Sequence, residues 1–239
     1  MYLPVNVSVV GEGHLAEATT VGCGTWFPLT SVQNADLVYF CVDTPVDEND
    51  VPNVDFVMDE LRKTLTETNP TVPVLISSQV PVGFCAKAEA EFPEHHLASQ
   101  PENIRKNQAL EDFLSQKRMI VGTRHFEDRH LITKVLSHFT PEILWMLPES
   151  AEMTKHALNA FLATEIVFAN EVAEIAKDVG ADVDDVFRGF LSDHRVGSGP
   201  LHPGGPYRGG TLGRDVVVLS EHNPGPLLSA IKPSNDRLL

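Results

Sequence analysis

Lys155 and Asn159 lie four residues apart in a stretch, Ala151 to Asp178, that contains neither proline nor glycine. In a helix that spacing puts both side chains on one face. An ammonium and an amide can then be aimed at one oxygen, either a hydroxyl or the alkoxide developing from it. A partly solvated lysine beside an asparagine that bridges two helices would give the same pattern. Further along, Tyr207-Arg208-Gly209-Gly210-Thr211-Leu212-Gly213-Arg214-Asp215 closes a region, Gly197 to Gly210, crowded with glycine, proline and histidine. Its glycines permit a sharp bend or a close backbone approach. Arg208, Arg214 and Asp215 supply charge, and Thr211 supplies a lone hydroxyl. A threonine hydroxyl does not act as a nucleophile without a dedicated base. Neither His194 nor His202 has a spacing that makes it one, so this loop is expected to bind without covalent chemistry.

Near the other end, Gly11-Glu12-Gly13-His14-Leu15-Ala16 follows the strand-like VNVSVV and opens a helical pattern. That is the setting of a dinucleotide-binding turn, whose glycines let backbone amides approach a pyrophosphate at a helix N-terminus. A plain glycine turn between strand and helix is the alternative. The acid expected for the adenosine ribose about 20 residues on is poorly placed. Asp36 precedes a strand instead of ending one, and Asp43 ends a strand but lies further along. A nicotinamide dinucleotide is therefore expected to bind weakly or not at all.

The elements that must position these groups follow from apolar patterning. Residues 5–10, 37–42, 72–78, 95–99, 118–122 and 142–147 read as strands, and 54–65, 83–92 and 128–139 as helices between them. Such alternation predicts a parallel sheet covered on both faces. After Pro148 the pattern changes. Ser150 can cap a helix over 151–178, a rod of roughly 40 Å. Between Ala160 and Ala169 only Thr164 and Glu165 are polar, so this helix should be buried on most sides, as in a homodimer. Gly180 ends it, and Asp182 with Asp185 resembles a capping box for the next helix. The expected fold is α/β: a reduced Rossmann-type parallel-sheet domain, residues 1–148, then a helical domain with one long central helix, residues 149–239.

The formal charge of −15 opposes nucleic acid or an anionic membrane as partner. A 42% hydrophobic and 21% charged composition suits a soluble globular chain. Cys23, Cys41 and Cys85 are too few for a disulfide framework and read as reduced thiols. The N-terminal residues lack the basic flank of a signal peptide, and no apolar run reaches membrane-span length. A cytoplasmic protein without a metal site is expected.

A family resemblance starts at Cys41-Val42-Asp43-Thr44-Pro45 and strengthens downstream. It continues through Ser78-Gln79-Val80-Pro81-Val82-Gly83 and through Gln100-Pro101-Glu102-Asn103-Ile104-Arg105-Lys106-Asn107. Ala151-Glu152-Met153-Thr154-Lys155-His156-Ala157-Leu158-Asn159-Ala160 and Phe168-Ala169-Asn170-Glu171 match best. Asp193-His194-Arg195-Val196-Gly197 and Pro203 through Asp215 complete the series. In order and content these motifs resemble the UDP-glucose/GDP-mannose dehydrogenase family, whose patterns read "C-V-G-T-P", "S-T-V-P-P-G", "N-P-E-F-L-R-E-G", "D-x-R-I-G" and "P-G-x-G-F-G-G-S-C-F-P-K-D".

The resemblance implies NAD near Gly11, Gly13, Thr44, Pro45 and Gln79, and a nucleotide sugar as substrate. It implies that Lys155 and Asn159 hold the reacting oxygen, that Glu102 is a general acid/base, and that Asp215 orients water. It gives Arg195, Tyr207, Gly209 and Arg214 to the sugar, with Arg195 reaching across a dimer contact. The departures are equally specific. The family's catalytic cysteine falls on Thr211, which removes the thioester step. Gln79 replaces a threonine near the nicotinamide, and Asn103 replaces an aromatic. Pro206 and Arg208 replace glycines. Too few residues separate Gly13 from Cys41 for the second and third strands of a full cofactor fold, and the sequence ends where the family's third domain would begin. Two functions follow: a dehydrogenase-like protein limited to one NAD-linked oxidation of a sugar hydroxyl, or a non-redox descendant that serves as a binding protein, scaffold or companion subunit.

Overall fold

The computed structural model describes residues 4–47, 51–102, 104–196, 201–208 and 210–239. Two compact units emerge, one ending at Lys155 and the other running from His156 to Leu239.

The first unit contains a six-stranded sheet in simple sequence order. Its strands are β1 (Val7–Val10), β2 (Leu37–Phe40), β3 (Val74–Ile76), β4 (Leu97–Ser99), β5 (Met119–Thr123) and β6 (Ile143–Met146). The intervening helices are α1 (His14–Trp26), α2 (Val54–Glu67), α3 (Phe84–Glu91), α4 (Ala109–Leu114) and α5 (Arg129–Leu136). Strand alternation divides the core between the two faces. Leu37, Tyr39 and Cys41 pack with Leu15, Ala18, Phe113 and Ile132. Val38, Phe40 and Val42 pack with Val57, Met58, Leu61 and Phe84.

Two features depart from a uniformly parallel sheet built around a central first strand. β4 and β5 run antiparallel, with Ala98 opposite Thr123, whereas the other four pairings are parallel. Among the described residues the connection between them carries one short α-helix, α4, about 9 Å long. On the other side β1 is the edge strand. Residues 28–30 touch it through one bridge, in which Val7 donates to the Pro28 carbonyl and Thr30 donates to the Val7 carbonyl, both at 3.0 Å.

Helix α6 (Pro148–Asp178) starts three residues earlier than the Ser150 cap suggested. Proline suits a first turn, where its missing N–H has no intrahelical partner to lose. Gly180, at φ 74°, terminates it in the left-handed region. In the second unit α6 is followed by α7 (Val183–Leu191), α8 (Gly210–His222) and α9 (Pro226–Asp236). Asp182 caps α7 by accepting from the Asp185 amide at 3.0 Å, as its spacing predicts. Ala160, Ala163 and Val167 pack with Val216, Leu219 and Ile231.

Candidate functional site

Strands β1 to β4 are mutually parallel, so their C-terminal ends share one edge of the sheet, where open α/β folds bind ligands. Gly11 and Gly13 follow β1, Thr44 and Pro45 follow β2, Gln79 follows β3, and Glu102 follows β4. Gly11 is needed because a Cβ there would lie 2.4 Å from the Cys41 carbonyl oxygen. Thr44 Oγ1 donates to the Gln79 carbonyl at 2.6 Å, which ties the β2 and β3 loops together.

Glu102 is buried, and its carboxylate is held on both oxygens. Gln100 donates to one at 2.5 Å and Gln116 to the other at 2.8 Å. Ser77 in turn donates to the Gln100 side chain at 2.7 Å. These amides fix where an acid/base carboxylate would point. Asn103, next to it in sequence, lies outside the described residues. Glu152 is a further buried acid that sequence reading left without a role. It accepts from the Gly83 and Cys85 amides at 2.6 and 2.9 Å, and so caps the start of α3 with an internal anion.

The glycine turn before α1 also faces a carboxylate. In a dinucleotide-binding turn the second glycine clears space for the pyrophosphate. Here a Cβ built on Gly13 would lie 2.2 Å from Asp43 Oδ2 and 2.9 Å from its carboxyl carbon. Asp43 therefore fills the space that the missing side chain leaves and places a negative charge beside the positive end of α1. The residue stands where the resembling motif has glycine. As placed, the exposed Asp43 side chain stands in the approach to this turn and would have to move for a pyrophosphate to enter.

In the second unit the centre is Asp215, which is fully buried in α8. It is neither a loop residue nor a helix cap. Its Oδ1 lies 2.8 Å from His156 Nδ1, and its Oδ2 accepts a short hydrogen bond from the Asn159 amide. His156 is three residues before Asn159, so both project from one side of α6 toward Asp215. Sequence reading passed over His156, although that i, i+3 spacing was available as a signal. Lys155, one position earlier, is half-buried.

The region from Tyr207 to Asp215 is only partly a loop, because α8 begins at Gly210. Thr211 is exposed in its first turn and Arg214 is half-buried further along. Gly209 lies outside the described residues. Upstream, the chain bends around two of the protein's own asparagines. Asn170 of α6 accepts from the Gly204 and Gly205 amides at 3.2 and 3.1 Å and donates to the Gly205 carbonyl at 2.8 Å. Asn235 of α9 accepts from the Tyr207 amide at 2.9 Å and donates to its carbonyl at 3.2 Å. Gly205 adopts φ 97°, which a side chain would resist. Arg195 is exposed and forks onto its neighbour Asp193 at 2.6 and 2.9 Å.

The cysteines offer no exposed thiol. All three cysteines are buried and unpaired with one another. Burial pushes the Cys23 thiol up to about 12 and raises Cys41 and Cys85 well above the usual thiol range. Among the described residues no helix is long and apolar enough to cross a membrane.

Comparison with known proteins agrees with these motifs. Residues 19–140 match the NAD binding domain of the UDP-glucose/GDP-mannose dehydrogenase family, and residues 149–236 match the family's central domain. A UDP-glucose 6-dehydrogenase of Rickettsia felis is 28% identical over 216 residues, covering 85% of this chain and 48% of the relative. A UDP-glucose 6-dehydrogenase of Bacillus subtilis is 31% identical over 216 residues, covering 85% of this chain and 49% of the relative. The chain thus spans about half the length of the curated relatives it matches. The structure of a UDP-glucose dehydrogenase from Pyrobaculum islandicum superposes with a TM-score of 0.85 at 22% identity, over 98% of this chain and 68% of that one, and so shares the fold. On the two domain matches, the chain belongs to the UDP-glucose/GDP-mannose dehydrogenase family.

Proposed function

We infer that this family member binds a nucleotide sugar or a related small molecule without oxidising it, as a non-redox binding protein or companion subunit, and that NAD binds weakly or not at all. The observation that carries this reading is the Asp43 carboxylate against Gly13. A dinucleotide would have to displace or repel that charge, which is exposed, and two like charges about 4 Å apart in water oppose each other by about 1 kcal/mol. The exposed Thr211 hydroxyl adds a second loss, because it cannot form the thioester through which the resembling enzymes reach an acid. Lys155 and Asn159 remain suited to a sugar hydroxyl, with Asp215 fixing the asparagine amide. Buried reduced thiols suit a cytoplasmic setting.

The competing reading is one NAD-linked oxidation that halts at the aldehyde or its hydrate. The clamped Glu102 favours it, because two glutamine amides hold a buried carboxylate in a fixed direction, as an acid/base group requires. Calorimetric titration with NAD separates the two. Wild-type protein should bind with at best high-micromolar affinity, and Asp43→Gly should bind at least tenfold more tightly, about 1.4 kcal/mol. Low-micromolar binding by the wild type, or NADH produced from a UDP- or GDP-sugar, would overturn the non-redox reading. A thermal-shift series with the same sugars tests binding directly, since a ligand selective for the folded state raises its stability.

A further inference from the structure

At the opposite edge of the sheet from Glu102, the antiparallel pairing of β4 and β5 brings two histidines together. Ala98 pairs with Thr123, so two residues beyond the ends of the ladder His96 comes opposite His125. Side chains directly opposite on one face of an antiparallel pair are neighbours. The two imidazoles stack with centroids 4.0 Å apart. Backbone bonds hold His96 on both sides: its amide donates to the Pro70 carbonyl and its carbonyl accepts from the Val74 amide, each at 2.9 Å. The His125 amide donates to Thr123 Oγ1 at 3.0 Å, which fixes the turn leaving β5.

That turn delivers two carboxylates. Asp128 Oδ2 lies 2.9 Å from His96 Nδ1. Glu127 Oε1 lies 3.9 Å from His96 Nε2 and 3.5 Å from His125 Nδ1. With Asp128 on Nδ1, the other ring nitrogen, Nε2, lies on the side of Glu127. A carboxylate on the far nitrogen of an imidazole is the arrangement that orients histidine ligands in metal sites.

We propose that His96 Nε2, His125 Nδ1 and a Glu127 carboxylate oxygen form a binding site for a divalent transition metal of the zinc class. The three ligand atoms lie within 4.8 Å of one another. Donors on one tetrahedral zinc are about 3.3 Å apart, given bonds of about 2.0–2.1 Å. The Glu127 distances exceed that by a few tenths of an ångström, and its side chain is 64% exposed and free to follow. A rotation of the His125 ring out of its stack completes the convergence. Two imidazoles with two carboxylates make a pocket whose acidic groups a divalent ion neutralises. The nitrogen donors select zinc, nickel or cobalt over magnesium and calcium, which prefer all-oxygen sites. With three protein ligands the fourth position is left to water. The site joins the start of β4 to the turn before α5, so bound metal should staple that edge and raise thermal stability.

The test is calorimetric titration of chelator-treated protein with zinc chloride, in parallel with magnesium chloride. Wild type should take up one zinc per chain with micromolar or tighter affinity and should show no saturable magnesium binding. Glu127→Gln and His125→Asn should each weaken the zinc site at least tenfold while leaving the far-ultraviolet circular dichroism unchanged. Visible absorption of the cobalt complex should be lost in both variants. Absence of stoichiometric zinc binding would overturn the proposal. So would zinc affinity unchanged in both variants, which would place the ion on other histidines.

Discussion

Asn159 donates its side-chain amide to the carboxylate of Asp215, which lies fifty-six residues later in the chain. The contact joins α6 to α8 within the second unit. His156 holds the other carboxylate oxygen, so Asp215 is satisfied on both sides while fully shielded from water. The same bond orients the asparagine that, with Lys155, would face a sugar hydroxyl in the proposed site.

Removing the carboxylate should therefore act on stability and on ligand binding together. Asp215→Ala leaves a buried amide and an imidazole nitrogen without their partner, at about 1–3 kcal/mol each. The urea midpoint should fall accordingly. Asn159→Ala strips one partner and should cost less, about 1–2 kcal/mol. An Asp215→Ala protein with an unchanged midpoint would mean that the buried pairing contributes nothing to the fold.

The three thiols make a separate prediction about alkaline pH. Burial raises Cys23 to about 12, against about 8.5 in the unfolded chain. The folded state therefore retains a proton that the unfolded state releases. Stability from this group is complete below about pH 8.5 and declines as pH rises through the window up to 12, at about 1.4 kcal/mol per pH unit. Cys41 and Cys85, also raised by burial, steepen the loss. Urea unfolding across pH 8 to 10 should show the decline, and Cys23→Ala should flatten it. A disulfide-exchange reagent should find no reactive thiol in the native protein and three after denaturation.

Much of this architecture is legible in the residues themselves. Apolar runs such as Leu37–Phe40 and Met119–Thr123 can pack on two faces only as central strands, so all six strands can be read within a few residues. Direction is another matter. No residue type in β5 declares that it runs against β4; that depends on the path of the intervening segment, whose α4 packs on α1. Gly22 decides part of that packing, since a Cβ there would lie 2.6 Å from the Phe113 ring. The glycines around Tyr207 suggested a loop through Asp215, yet a helix tolerates Gly210 at its start and Gly213 within it once Val216 and Leu219 are buried on its far side. Single residues and helix spacing point to Lys155 and Asn159. The pairing of His156 with Asp215 depends on two helices meeting, and only the fold supplies that.

Association should run through the exposed face of α6. Phe161, Phe168 and Ile175 recur every seven residues and are 60, 46 and 61% exposed. The smaller residues Ala160, Ala163 and Val167 fill the side buried within the unit. Large apolar side chains in such a stripe suit a self-complementary helix contact about a twofold axis. Light scattering should give twice the chain mass for the wild type and a monomer for Phe161→Glu combined with Phe168→Glu. Monomeric wild-type protein at all practical concentrations would remove the argument.

Thr211 offers the sharpest test of what chemistry remains. It is exposed in the first turn of α8, so Thr211→Cys should change stability by less than about 0.5 kcal/mol. A thiol there would be solvated and near a helix N-terminus, both of which favour thiolate, unlike the buried Cys23, Cys41 and Cys85. If loss of the thiol were the only defect, the variant would form uronic acid from a nucleotide sugar with added NAD. The carboxylate at Asp43 predicts otherwise. Thr211→Cys alone should stay silent, and Thr211→Cys combined with Asp43→Gly should produce NADH and acid if the remaining groups still hold the sugar. Assays of the wild type, both single variants and the pair, with several UDP- and GDP-sugars, check each step. Acid made by the wild type would sink the account of Thr211. Acid made by Thr211→Cys alone would sink the account of Asp43. Silence from the pair, with the fold intact and a sugar still raising the melting temperature, would leave α6 and α8 as a binding surface and nothing more.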